Sequence, residues 1–205
     1  MVRSQTLLVT LSLLTLPATA GALGLQSFDT ARPVEPQHIE AGVGFSAGDA
    51  LYALYAQGRI GLLPALEGSL AVGGIVYDEA LGFEVDLGGK FRPLSTADTN
   101  GIVDIAAGGH LAFAKTDDVF LFGLDPELMV SRHFELPGDR ELFVGITVGA
   151  ALTVVDVDGG DDDVELGLVG ALVAGVDIVE DIGFVLEGRW RDDLWRFGGM
   201  VTLDL

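Results

Sequence analysis

The three histidines are the residues of this sequence best suited to acid–base chemistry near neutral pH. They are His38, His110 and His133, far apart along the chain and without a local partner motif. A serine hydrolase needs a serine beside its histidine base and an acidic group that orients the base. No serine stands out beside His110, although His110 lies on the polar side of a predicted strand. We therefore interpret the histidines as ordinary polar side chains and expect no enzymatic activity.

An acidic run at residues 156–163 carries carboxylates at alternating positions and two glycines, as calcium-binding loops do. Its candidate ligands are Asp156, Asp158 and Asp161. An EF-hand loop that began at Asp156 would need glycine at its sixth position and glutamate at its twelfth, where this chain has Asp161 and Gly167. We expect a solvated, self-repelling hairpin tip, leave metal binding open and predict no cofactor.

The overall composition excludes several classes of protein. The 205 residues include 31 Asp or Glu, 11 Lys or Arg and no Cys, and the formal net charge is −20. A disulfide scaffold, a thiol nucleophile and a Cys-ligated metal site are therefore excluded. Nucleic-acid binding is excluded too, because the chain has too few basic residues to neutralise phosphates. With 49% hydrophobic residues, the chain is also too apolar for intrinsic disorder.

Residues 1–20 have the pattern of a secretory signal peptide. One cation, Arg3, precedes a mostly apolar stretch from Leu7 to Leu16, and the small residues Ala18 and Ala20 occupy the −3 and −1 positions. The apolar stretch is too short for a membrane-spanning helix, which needs about 20 apolar residues. We expect cleavage after Ala20 and export of the remaining chain.

Beyond the signal peptide, apolar and polar residues alternate with the period of two that is typical of β-strands. Phe83, Val85 and Leu87, for example, alternate with Glu84 and Asp86. The pattern predicts an all-β, up-and-down antiparallel barrel over residues 37–205, with about ten strands, eight being possible, and no helix of useful length. Pro126 interrupts the sixth strand, where we allow a bulge or a break. The predicted strands are 37–46, 51–62, 66–77, 81–92, 101–114, 119–132, 141–155, 164–178, 182–191 and 194–205.

The residues on the polar side of the strands predict which face points inward. Gly, Ala and Ser crowd this side and suit a narrow lumen, whereas the large apolar side chains opposite them suit lipid. Aromatic residues near strand ends, such as Tyr52 and Trp190, match interfacial girdles. Thirteen charged residues form the predicted lumen network: Glu40, Arg59, Glu67, Glu84, Asp86, Lys90, Arg92, Asp104, Glu187, Arg189, Arg191, Arg196 and Asp204. Because unpaired charges in so narrow a space are costly, we expect a plugged lumen and no large diffusion channel.

The final predicted strand carries Trp195, Phe197, Val201, Leu203 and Leu205 on one side. In this alternation and in its strand lengths, the chain resembles the small outer-membrane β-barrel proteins of Gram-negative bacteria. The resemblance implies a transmembrane barrel in the outer membrane, with lipid and the barrel-assembly machinery as partners and a monomeric state. An even number of strands places both termini on the periplasmic side. Residues 21–36 are then a periplasmic N-terminal extension.

The expected function is therefore a structural or narrow-pore role in the outer membrane. Two alternatives stay open. A soluble periplasmic or secreted barrel that binds an apolar ligand would have the two faces of every strand reversed. An outer-membrane hydrolase would need a nucleophile beside one of the histidines.

Overall fold

The computed structural model describes residues 27–48, 51–77, 80–116, 119–138, 140–157, 163–179, 181–192 and 194–205. In these residues, ten strands form a closed barrel: β1 (Ile39–Gly48), β2 (Leu51–Leu63), β3 (Leu66–Tyr77), β4 (Ala80–Leu94), β5 (Asp104–Lys115), β6 (Val119–Leu136), β7 (Arg140–Val157), β8 (Asp163–Val179), β9 (Ile182–Arg191) and β10 (Leu194–Asp204). Every strand pairs antiparallel with its sequence neighbours, and β10 closes the barrel against β1. The predicted up-and-down barrel of ten strands is confirmed. The described residues contain no helix long and apolar enough to cross a membrane.

Two strand boundaries differ from the sequence prediction in ways that affect the site. β5 begins at Asp104 and not at residue 101, because residues 96–101 form a turn in which Gly101 N–H donates to the Thr96 carbonyl over 2.7 Å. β6 extends to Leu136, four residues beyond its predicted end. It also passes Pro126 without a register shift, since Leu124 faces Leu152 and Glu127 faces Gly149. A bulge or break at Pro126 therefore does not occur.

The end of the barrel at which β1 begins and β10 ends is called the terminal rim here. It also contains the connections β2–β3, β4–β5, β6–β7 and β8–β9. Leu205 N–H donates to the Ile39 carbonyl over 2.9 Å at this rim. Three pairs of strands shift register near it, at Gly61/Leu63, Phe91/Leu94 and Asp177/Val179. Such irregularities are common at barrel rims, where they bend strands and re-aim side chains.

The outside of the barrel is apolar, and its inside combines buried charged side chains with a buried apolar cluster that includes Ile75 and Met200. A row of leucines crosses six adjacent strands as direct cross-strand partners: Leu70, Leu87, Leu111, Leu124, Leu152 and Leu166. Phe83, Phe197 and Val201 also point outward and are at least half exposed. Lys90, Glu67 and Arg189 point inward and are buried. The predicted orientation of the two strand faces is therefore the observed one.

Residues 27–34, called the lumen segment here, lie inside the barrel. Phe28 and Ala31 are 1% and 0% exposed, and Ser27, Asp29 and Thr30 are also buried. The sequence predicts that residues 21–36 are a periplasmic N-terminal extension, separate from the barrel of residues 37–205. The described part of that extension instead fills the lumen, because its backbone and side chains provide partners for inward charges of several strands.

Candidate functional site in the barrel lumen

The lumen segment enters the barrel past Gly61 of β2. Gln37 N–H donates to the Gly61 carbonyl over 2.8 Å, and Pro36 forms an isolated parallel bridge with Gly61. A Cβ at Gly61 would lie 2.1 Å from the carbonyl oxygen of Glu35 and 2.4 Å from that of Val34. Only glycine allows the two backbones to approach so closely, so Gly61 determines where the segment enters.

Asp29 is the centre of the first charge cluster. Its Oδ1 contacts Lys90 Nζ at short range and Arg59 Nη1 at 3.2 Å. Lys90 Nζ also lies 3.2 Å from Glu67 Oε1 and donates to the Thr30 carbonyl over 2.8 Å. The segment therefore contributes both a carboxylate and a carbonyl to cations that strand residues alone would leave with fewer partners.

A second cluster holds the far end of the lumen segment. Phe28 N–H donates to Glu187 Oε2 over 2.7 Å, and Gln57 Nε2 donates to the Ser27 carbonyl over 2.9 Å. The Phe28 ring stacks against Tyr55, with ring centroids 5.8 Å apart. The segment is thus fixed by polar and apolar contacts at the same depth.

Arg189 and Arg191 of β9 extend the second cluster across the lumen to β6. Arg189 Nη2 contacts Glu127 Oε1 at short range and lies 3.7 Å from Asp125 Oδ2, and Arg191 Nη2 lies 3.3 Å from Asp125 Oδ1. Arg189 Nη1 also donates to Ser27 Oγ over 3.2 Å. Asp125 and Glu127 are absent from the thirteen predicted residues. The alternation of acidic residues around Pro126 is the sequence signal for them, but Pro126 itself favours a bulge or a break in the strand.

A third cluster lies at the terminal rim around Asp104. Its carboxylate accepts from Arg92 Nη1 over 3.2 Å, from Arg32 Nε over 3.4 Å and from Thr96 N–H over 2.8 Å. Arg32 also donates to Glu141 Oε2 over 2.6 Å. Arg32 belongs to the lumen segment, so the segment is paired at both of its ends.

The three histidines lie in different environments. His110 is buried in the lumen, with its Nδ1 2.9 Å from Asp86 Oδ1. His38 is exposed beside the terminal rim. His133 lies at the terminal rim, inside the lumen, and contacts Glu141 and Ser131.

The structure brings most of the predicted charge network into the lumen. Glu67, Glu84, Asp86, Lys90, Asp104, Glu187, Arg189, Arg191 and Arg196 are buried, and Glu40, Arg59 and Arg92 are half-buried. Asp204 is exposed at the terminal rim, because it is the last residue of β10.

The other predicted sites fall partly outside the described residues. Asp156 is exposed near the end of β7, whereas Asp158, Asp161 and the cleavage-site residues Ala18 and Ala20 lie outside the described part of the chain. Within the described part, no three His, Cys, Asp or Glu side chains are grouped so as to hold a metal ion.

Comparison with known proteins gives matches among solved structures only. No family model matches the chain, and no curated protein matches it. The N-terminal β-barrel domain of Pseudomonas aeruginosa OprF is 12% identical, with 83% of this chain and 98% of that chain covered and a TM-score of 0.37. Neisserial surface protein A is 10% identical, with 82% and 94% covered and a TM-score of 0.42. Outer membrane protein Omp33 of Acinetobacter baumannii is 7% identical, with 82% and 98% covered and a TM-score of 0.39.

Proposed function

We propose that the chain is a monomeric outer-membrane β-barrel with a structural role, whose lumen is closed to diffusion by its own lumen segment. The observation that carries this proposal is Asp29, which is 6% exposed and bound by Lys90 and Arg59 in the middle of the lumen. A carboxylate of the lumen segment thus neutralises two cationic side chains that would otherwise line an open passage.

The apolar outside supports a location in a membrane. Soluble monomers rarely expose a continuous apolar patch of more than a few hundred Å². Here the leucine row alone crosses six strands, and aromatic residues such as Tyr52, Phe91 and Trp195 lie toward the strand ends. The strands of 10 to 18 residues are long enough to cross a bilayer when tilted.

The charged lumen argues against a soluble carrier of an apolar ligand. Such a carrier needs an apolar cavity inside the barrel. The described lumen instead contains ion pairs that join Arg189 to Glu127 and Lys90 to Glu67, and its apolar cluster is already packed with Phe28 of the lumen segment. An apolar ligand would have to displace the lumen segment. The charged side chains of the lumen would then have neither the segment nor water as a partner.

The pairing of β1 with β10 supports insertion as a single closed barrel. Nine consecutive residue pairs join the two strands, from Glu40 and Asp204 to Gly48 and Arg196. A closed barrel leaves no strand edge for association with a second copy. The alternating final strand supports recognition by the barrel-assembly machinery, the partner implied by the resemblance.

Ion conductance in planar lipid bilayers tests the closed lumen. We expect the purified full-length chain to give no sustained conductance, and a chain lacking residues 21–34 to give frequent channel openings. Gly61→Val is a second opened variant, because its side chain would meet the carbonyl oxygens of Val34 and Glu35. Sustained conductance of the full-length chain at the level of the truncated chain would contradict the proposal.

A further inference from the structure

Ser131, His133 and Glu141 form a continuous series of polar contacts at the terminal rim. Ser131 Oγ lies 3.3 Å from His133 Nε2, and His133 Nδ1 contacts Glu141 Oε1 at short range. A hydroxyl, an imidazole and an orienting carboxylate in this order are the parts of a serine hydrolase triad.

A single β-hairpin brings the three side chains together. Ser131 and His133 are two residues apart on β6 and therefore project from the same face of the strand, into the lumen. Glu141 lies on β7, where it faces Glu135 and is diagonal to His133. Phe143 faces His133 and stacks on its imidazole, with ring centroids 5.5 Å apart. The hairpin thus orients the base.

The neighbouring hydrogen bonds agree with the protonation that a general base requires. Ala31 N–H donates to Ser131 Oγ over 3.1 Å, which leaves the Ser131 hydroxyl proton to point at His133 Nε2. His133 Nδ1 then carries the imidazole proton and donates it to Glu141. Arg32 Nη1 donates to the other oxygen of Glu141 over 2.6 Å and holds that carboxylate in place.

We infer that Ser131 is the nucleophile of a carboxylic-ester hydrolase site, with His133 as its base and Glu141 as a positioning residue. Ser131 Oγ bonds to the ester carbonyl carbon while its proton passes to His133 Nε2. The bond from that carbon to the alcohol oxygen then breaks, and the alcohol leaves with the proton from Nε2. Water adds to the acyl-enzyme through the same base, which releases the carboxylic acid and restores the hydroxyl.

The lumen segment covers this site in the described state. Ser131 is 2% exposed. Ala31, whose N–H donates to the Ser131 hydroxyl oxygen, is 0% exposed. The side chains of Arg32 and Glu141, which are 36% and 33% exposed, mark the side from which an ester would enter, at the terminal rim. Hydrolysis therefore requires displacement of residues 27–34. The contacts of Ala31 and Arg32 belong to the covered state, and after displacement the β6–β7 hairpin and the Phe143 ring orient the three side chains. The inference shares this segment with the proposed closed lumen but does not depend on ion conductance.

A fluorophosphonate probe tests the inference on the folded protein in detergent micelles. The probe forms an Oγ–P bond with an activated serine as fluoride leaves. Gly61→Val opens the site at a distance from the triad, and we expect Ser131 to be labelled in this variant, as mapped by mass spectrometry. Because a general base accelerates such a step by about 100-fold or more, adding His133→Gln should slow labelling by at least that factor.

Three further variants separate catalysis from structure. In the Gly61→Val background, Ser131→Ala should abolish labelling and hydrolysis of p-nitrophenyl butyrate. Ser46→Ala, which changes another buried lumen serine, should alter neither. Glu141→Gln keeps the size of the side chain and should lower kcat while leaving KM unchanged, a split that a merely structural role would not produce.

The truncated chain lacking residues 21–34 is the second opened form. For this form and for Gly61→Val, a difference in migration between unheated and boiled samples on a detergent gel identifies folded protein. If Ser131 remains unlabelled in both folded forms, the inference is overturned. It is also overturned if His133→Gln leaves the labelling rate unchanged, in which case the three residues are a structural network.

Discussion

Asp29 and Lys90 form an ion pair from which water is nearly excluded. Their side chains are 6% and 1% exposed, and Glu67, Arg59 and Glu40 complete a group of three acids and two bases. Moving each charge out of water costs several kcal/mol, so the arrangement is stable only when every charge has a partner. Removal of one charged residue should therefore lower the free energy of unfolding more than removal of a matched acid–base pair does.

Lys90→Met should lower the free energy of unfolding by about 3–5 kcal/mol, because it leaves Asp29, Glu67 and Glu40 to share Arg59. Urea unfolding in detergent micelles, followed by tryptophan fluorescence, measures this loss. The double variant Asp29→Asn with Lys90→Met should recover most of it. Lys115→Met, at an exposed strand end, is the control and should change the value by no more than about 0.5 kcal/mol. Equal effects of Lys90→Met and Lys115→Met would contradict this account.

The sequence predicts the strand residues of the lumen but not their partners from the lumen segment. Lys90 and Arg59 follow from the alternation, because side chains on a strand change face at every residue. Asp29 and Arg32 lie where no alternation exists, and their positions depend on tertiary contacts alone. The proximity of Ser131, His133 and Glu141 does not follow from the alternation for a different reason. The predicted sixth strand ends at residue 132 and the seventh begins at 141, so the prediction does not contain the part of the hairpin that joins His133 to Glu141.

At the scale of strands, the leucine row is the feature that lipid contact explains. Leu87 occupies the middle of β4, and its cross-strand partners are Leu70 and Leu111. The sequence predicts this face because the period of two is unbroken there. It does not predict the rim irregularities, such as the shift between Phe91 and Leu94, because these depend on how neighbouring strands close the barrel.

Leu87→Arg should destabilise the barrel by about 2–4 kcal/mol in lipid, since a cation at the bilayer midplane loses its hydration. Leu63→Arg lies at the terminal rim and should cost about 0–1 kcal/mol. Refolding equilibria in phospholipid vesicles compare the two variants directly. If Leu87→Arg were as mild as Leu63→Arg, β4 would not face the hydrocarbon core.

For the molecule as a whole, the prediction concerns fractionation. Because all ten strands close in one ring, the folded chain should stay in the outer-membrane fraction and resist detergent at room temperature. Unheated and boiled samples should then migrate differently on a detergent gel. Release as a soluble species that migrates identically before and after boiling would favour the soluble carrier of an apolar ligand.

The position of the lumen segment also constrains the order of assembly. Its hydrogen-bond partners range from Gln57 and Arg59 in β2, 30 residues away, to Arg189 in β9, 162 residues away. Contacts over such long sequence separations carry the largest loop-closure cost and form slowly. The seam between β1 and β10 joins the two ends of the same ring, and the start of the lumen segment contacts β2 and β9, the strands on either side of that seam. The lumen segment must therefore stay near the growing sheet until β9 is in place. Its docking in the lumen and the pairing of β1 with β10 are then one coupled, late step of folding.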